Sequence, residues 1–281
     1  MAFGAGREET PKWKSEAALH ASAWNAGEVA IGIGVKLART IEIAKGMKAA
    51  DYDWLFIDLE HGSMSLDTAA QIATAALDVG ITPLCRVPNG EYGMATRLLD
   101  NGAMGIVMPH VDTADEAREV VARLKFPPIG HRSVSSGLPH LDYKPLGMRV
   151  VAETLNAAML NVVMLETPQA IENAEEIASV PGIDVLLVGS NDLCAEMGIP
   201  GDFANPRLGE AVSRVVAACR EHGKWPGLAG VYDEALLPRY VELGPLFVLC
   251  GTDSSMLIQA ASRRAGFMRK LTSAETQRAA G

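Results

Sequence analysis

The chain is poor in features that mark several common protein classes. Only 5% of its 281 residues are aromatic, which disfavours a binding site built from stacked rings. Its four cysteines, Cys85, Cys194, Cys219 and Cys250, are far apart and form no CxxC. That spacing fits reduced cytosolic thiols better than a disulfide framework or a cysteine zinc site. No window reaches the ~18 uninterrupted apolar residues of a spanning helix. The first residues carry Arg7, Glu8, Glu9 and Lys12 and lack the apolar core of a signal peptide. A cytoplasmic protein with no membrane partner is expected. Basic residues are outnumbered, 25 Lys+Arg against 34 Asp+Glu, for a net charge of −9. Nucleic-acid binding needs a basic stripe, so nucleic acid is not an expected partner. The Gly-X-Ser elbow, the Walker loop and HExxH are missing. Gly32-Ile33-Gly34 lacks the third glycine and acidic partner of a dinucleotide fingerprint.

What is present is a repeating pattern. Apolar residues make up 48% of the chain, ample for a packed core. Runs rich in Val, Ile and Leu occupy residues 29–37, 54–61, 82–88, 105–111, 161–166, 184–189, 225–230 and 247–251. Most are apolar at both alternating positions, as in parallel strands buried on both faces. Helical patterns separate them at 66–79, 113–124 (Asp112 as N-cap), 168–178, 206–222, 234–243 and 256–269. Eight strand–helix repeats predict an α/β protein, a (β/α)8 barrel; a doubly wound sheet usually has fewer strands. The barrel spans 29–271. A leader, 1–28, precedes it, with Trp13 and Trp24 expected to dock, and a frayed tail, 272–281, follows. Residues 126–160 form a long connection with four prolines, and long loops tend to be functional.

Ionisable residues follow the apolar runs at the C-terminal end of six of the eight repeats. In a barrel these ends share one mouth, where active sites lie. Glu166 and Asp192 end adjacent strands and suit an oxygen-ligated Mg2+ or Mn2+, or else they cap the helices that follow. His61 suits general base work, with Asp58 or Glu60 as its orienting partner; a hydrogen-bonded strand-end histidine is the plainer reading. Arg86 suits an enolate or a carboxylate, or a salt bridge to a barrel acid such as Glu166. His110 lines the mouth. Asp100 most simply helps to end a helix at Gly102. Lys36 is the strand-end lysine available for a Schiff base.

These residues also carry a resemblance. Trp54-Leu55-Phe56-Ile57-Asp58-Leu59-Glu60-His61-Gly62 resembles the strand-two signature of the HpcH/HpaI aldolase family. Pro83-Leu84-Cys85-Arg86-Val87, Leu98-Leu99-Asp100-Asn101-Gly102-Ala103, Pro127-Pro128-Ile129-Gly130, Leu165-Glu166-Thr167 and Val188-Gly189-Ser190-Asn191-Asp192-Leu193 follow in family order. The match is nearest to the metal-dependent class II pyruvate aldolases. It implies a (β/α)8 barrel whose C-terminal helix is exchanged between subunits, in a trimer-based hexamer. It implies that Glu166 and Asp192 hold a divalent ion, Mg2+ or Mn2+, with Co2+, Ni2+ or Zn2+ as alternatives. Arg86 would bind the keto oxygen, and His61, oriented by Asp58, would handle protons. Gly189 and Ser190 would hold the substrate carboxylate, and Asp100 of a neighbouring subunit would approach the mouth. The chain departs from the family pattern at Ser133-Val134-Ser135-Ser136 and at Asn191, both expected near the mouth.

The expected function is therefore the reversible joining of pyruvate or hydroxypyruvate to an aldehyde, an EC 4.1.2-type lyase reaction. One rival is a citramalyl- or malyl-CoA-type lyase, which would need basic rim residues such as Arg132 or Lys144. Another is a Schiff-base aldolase. A third, of a different class, is a non-catalytic barrel that senses a keto acid.

Overall fold

A computed structural model describes residues 28–279. The leader up to residue 27, with Trp13 and Trp24, lies outside the described residues. Eight parallel strands form a closed ring in sequence order, the expected (β/α)8 barrel. They are β1 (Ala30–Val35), β2 (Trp54–Asp58), β3 (Thr82–Arg86), β4 (Gly105–Met108), β5 (Leu160–Leu165), β6 (Val185–Gly189), β7 (Trp225–Ala229) and β8 (Phe247–Thr252). Several strands stop earlier than their apolar runs. In β2 the reason is local: Asp58 Oδ1 accepts the backbone N–H groups of Glu60 and His61 at 3.1 and 3.3 Å, which turns the chain.

Side chains on a strand alternate between faces, so each strand feeds two cores. Trp54, Phe56, Leu84, Val162, Met164, Leu187, Phe247 and Leu249 fill the barrel interior. Leu55, Ile57, Cys85, Ile106, Val163, Leu165, Leu186 and Val188 pack outward on the helices. Trp54 stacks on Phe247 with ring centroids 3.9 Å apart. Gly32 makes room for this stack, because a Cβ there would sit 2.1 Å from the Trp54 indole. The Gly-Ile-Gly sequence thus serves packing.

Helices Leu66–Val79 and Pro206–His222 have the expected bounds. Ser65 and Asn205 cap their first turns, and Gly80 and Gly223 end them with φ of +73° and +63°. Elsewhere the expectations need correction. The N-cap of Ala114–Leu124 is Thr113, in a capping box with Glu116. Asp112 instead accepts the Thr167 hydroxyl at 2.6 Å. The 168–178 segment is two short helices, Pro168–Glu172 and Ala174–Ala178. The 234–243 helix shortens to Leu237–Val241. The long connection holds a 3-10 turn, Pro139–Leu141, and a helix, Met148–Ala158. The last helix, Asp253–Ala279, starts right after β8 and continues into the segment read as a tail.

Gly105 opens β4 where a Cβ would lie 2.5 Å from the Leu160 carbonyl oxygen and 2.8 Å from Leu84 Cδ2. Gly105→Ala is expected to destabilise the barrel by about 1–3 kcal/mol through overpacking. Urea unfolding measures this, and a neutral result would contradict the tight β4–β5 packing.

Candidate active site

The inner register of the strands extends into the chemistry. Two residues beyond Phe56 is Asp58, and two beyond Leu84 is Arg86. Two beyond Met164 is Glu166, and two beyond Leu187 is Gly189. All four line or border one cavity of about 210 Å³ at the C-terminal mouth of the barrel, with Lys36, His61, Ser190, Asp192, Tyr232 and Thr252. That volume is below the roughly 300–1,000 Å³ of drug-sized pockets and suits a small ligand.

Asp58 and Arg86 form the firmest contact there. Arg86 Nε donates to Asp58 Oδ1 at 3.0 Å and Nη2 to Oδ2 at 2.8 Å, both residues buried. Arg86 Nη1 lies 2.9 Å from Glu60 Oε2. Burial by itself would raise the Asp58 carboxyl. The Arg86 hydrogen bonds and charge, the His61 N–H and Lys36 outweigh it, and Asp58 lies below the usual carboxylate range. The same pairing keeps Arg86 charged against its own burial. The salt bridge expected between Arg86 and Glu166 is thus made with Asp58 and Glu60. His61 also differs from expectation. Its ring Nε2 is 3.6 Å from Glu60 Oε2, whereas Asp58 meets its backbone N–H. The turn after Asp58 breaks the strand alternation and sets Glu60 beside both His61 and Arg86. His61 itself stands at the lip, its ring open to solvent.

Glu166 is the opposite case. It is 1% exposed, and no lysine or arginine forms an ion pair with it among the described residues. Its Oε2 accepts the His110 N–H at 2.9 Å, and the His110 ring lies 3.5 Å away. His110 reaches this position with φ of +50°, a conformation invisible in the sequence. Burial pushes the Glu166 carboxyl up to about 7; Asp192 adds to this, while His110 and Arg86 oppose it. The capping alternative does not apply to Glu166, because Thr167 caps the next helix through its hydroxyl, 3.0 Å from Ala170 N. Asp192 sits in the first turn of Ser190–Glu196, where no side chain caps. Gly189 lets Glu166 in, since a Cβ there would lie 2.6 Å from Glu166 Cγ and Oε1. Among the described residues, the buried Ser190 Oγ has no hydrogen-bond partner.

A buried carboxylate with a second acid nearby, beside an unpartnered hydroxyl, suits a hard, oxygen-seeking cation. The donor set therefore fits a divalent ion held by Glu166 and Asp192. Glu175, Glu221 and His222 also approach one another within 4.8 Å, but outside this cavity and with both acids exposed.

Other expected residues lie elsewhere. Asp100 ends the helix Tyr92–Asp100, which descends to the far end of the barrel. There Arg132 Nη2 holds it at 2.6 Å. Asp100 and Ser133 to Ser136 do not line the cavity of their own chain, whereas Asn191 does. Arg132 is 3% exposed, stacked 4.3 Å over Phe126, and is no rim residue. Lys144 pairs with Asp142 at 3.5 Å. Tyr232 is an addition. It lines the cavity past β7 and Gly230, where the apolar run has ended and strand alternation no longer says which way a side chain points.

A (β/α)8 barrel with a charged cavity at the C-terminal ends of its strands is the form of an enzyme. The family model for HpcH/HpaI aldolase/citrate lyase matches residues 36–260, and the chain belongs to that family. It is 42% identical to the 4-hydroxy-4-methyl-2-oxoglutarate aldolase cghB of Chaetomium globosum, over 88% of this chain and 93% of that one. It is 35% identical to the 4-hydroxy-2-oxo-heptane-1,7-dioate aldolase of Salmonella typhimurium, over 90% and 96%. Among solved structures, an HpcH/HpaI aldolase from Desulfitobacterium hafniense superposes with a TM-score of 0.83 at 26% identity, over 89% of this chain and 96% of that one. A family member from Burkholderia cenocepacia gives 0.81 at 30%, over 90% and 99%. The chain is an aldolase-type lyase.

The raised Glu166 carboxyl has a measurable consequence. In cation-free protein the folded state holds this proton up to about pH 7, against 4.5 for the free group. Folding therefore loses stability as pH rises from about 4.5 through 7, by roughly 3 kcal/mol at most. Glu166→Gln keeps an oxygen for the His110 N–H and removes that loss. In EDTA its melting temperature should exceed wild type at pH 8, with the gap closing near pH 5. A gap that does not change with pH would contradict this account.

Proposed function

We propose that the protein is a class II aldolase. It forms the enolate of pyruvate or hydroxypyruvate with the help of a divalent cation and joins it reversibly to an aldehyde. The observation that carries this reading is Glu166, a buried carboxylate with no ion-paired lysine or arginine, next to Asp192 and to the unpartnered Ser190 hydroxyl. Glu166 and Asp192 would hold the cation, Mg2+ or Mn2+, with Co2+, Ni2+ or Zn2+ as alternatives. When bound, it supplies a Lewis acid that lowers the cost of enolate charge.

This chain's own residues do the rest. Asp58 and Glu60 fix the Arg86 fork, whose remaining N–H groups face the cavity and bind the keto oxygen. Ser190 and the backbone at Gly189 hold the substrate carboxylate. The His61 imidazole, steadied by Glu60, moves protons between substrate and solvent at the lip. Relatives named for 4-hydroxy-2-oxo diacids support a diacid product here too.

Exchange of the last helix between subunits of a hexamer is supported by its exposed Leu257, Ile258, Phe267 and Met268. Such an assembly is also the setting in which Asp100 would approach a neighbour's mouth. Among the described residues no helix is long and apolar enough to cross a membrane. Four free cysteines support work in the cytoplasm. The small cavity and the buried Arg132 count against a CoA thioester.

Deuterium exchange at C3 of pyruvate tests the reading without knowledge of the aldehyde. Exchange should require added divalent cation and vanish in Glu166→Ala and Asp192→Ala. It should slow by about 10²–10⁴-fold in His61→Ala, which retains cation binding. Borohydride with pyruvate should label no lysine. Full exchange by Asp192→Ala in EDTA, or a trapped lysine, would overturn the class II reading, and pyruvate binding without exchange would favour a sensor.

A further inference from the structure

The groups assigned to the keto acid leave one wall of the cavity without a role. In a closed ring of eight strands β1 stands opposite β5, and β7 opposite β3. Lys36, just past β1, therefore faces Glu166 across the mouth, and Tyr232, past β7, faces Arg86. Both line the same cavity.

Lys36 Nζ lies 3.3 Å from Asp58 Oδ2, its side chain one-third exposed. Lys36 is the last and smallest of the groups that hold Asp58 ionised. That carboxylate already accepts Arg86 Nε and Nη2 and the N–H groups of Glu60 and His61. Arg86 is committed to Asp58 and Glu60 and cannot turn away without uncovering a buried charge. Lys36 is thus the lining cation that can swing to a ligand while the buried pair stays intact. Its backbone is anchored, because the N–H groups of Lys36, Leu37 and Ala38 donate to the Asp253 carboxylate at 2.7–3.1 Å. Only the flexible stem has to move. Tyr232 complements it. Burial pushes its phenol up to about 12, with Arg86 opposing, so it remains a neutral hydroxyl able to donate to an anion.

We infer that Lys36, assisted by the Tyr232 hydroxyl, forms the acceptor subsite and selects a carbonyl acceptor that carries a carboxylate. This rests on the aldolase reading above and assigns specificity within that site. The charge balance agrees. Asp58, Glu60, Glu166 and Asp192 place four negative charges around the mouth, against Arg86, Lys36 and a divalent cation. Removing Lys36 leaves an excess negative charge that repels an anionic acceptor and leaves a neutral one unaffected.

The test compares two acceptors of the same carbon number, glyoxylate and glycolaldehyde, condensed with pyruvate by the cation-loaded enzyme. Lys36→Met should lower kcat/KM for glyoxylate 10- to 100-fold more than for glycolaldehyde, chiefly through KM. Lys36→Arg should keep most of the preference, and Tyr232→Phe should lose about 3- to 10-fold of it. Equal losses on both acceptors, or a Lys36→Met enzyme with wild-type preference, would overturn the subsite. A wild-type enzyme that neither exchanges deuterium at C3 nor condenses either aldehyde would fail at the earlier step and remove the aldolase reading with it.

Discussion

Side chains alternate on a strand, and a closed ring of eight strands turns that alternation into stacked layers. In this barrel the lower layers are apolar, with Trp54 on Phe247 and Phe56, Met164 and Leu187 above them. The top layer keeps the same inward register but changes composition, to Asp58, Arg86, Glu166 and Gly189. The site is therefore the last layer of the core. Its polar groups inherit fixed positions from strands that packing has already ordered, and the apolar layer beneath keeps water from their undersides.

Within that layer two carboxylates are treated in opposite ways. Asp58 is surrounded by donors, which hold it ionised and make it a clamp for Arg86. Glu166 receives one backbone N–H and the neighbourhood of another acid, so its charge is left uncompensated. One acid stiffens the site and the other leaves a demand for positive charge. Burial is common to both, and the number of donors separates them.

Much of this was legible in the sequence for a physical reason. Parallel strands buried on both faces read as apolar runs, and counting by twos along 54–58, 84–86 and 164–166 reaches the inward Asp58, Arg86 and Glu166. Legibility ended where regular geometry ended. The turn after Asp58 transfers the His61 ring to Glu60. His110 bonds Glu166 only through a left-handed backbone. Tyr232 lies past Gly230, whose φ of +100° resets the alternation. Thr113 and Glu116 stand at capping-box spacing, a signal that choosing Asp112 as the cap passes over. Asp100 shows a different limit, because any contact it made with a neighbouring subunit would be written in no single chain.

The Asp253 carboxylate bears on more than local order. It opens the last helix and at the same time receives three successive backbone N–H groups from the loop after the first strand. One side chain thus bolts the two ends of the barrel together at the seam. The long helix is thereby fixed at its first turn beside the cavity. Whatever covers its exposed Leu257, Ile258, Phe267 and Met268 acts on a helix whose first residue is hydrogen-bonded to the loop that carries Lys36.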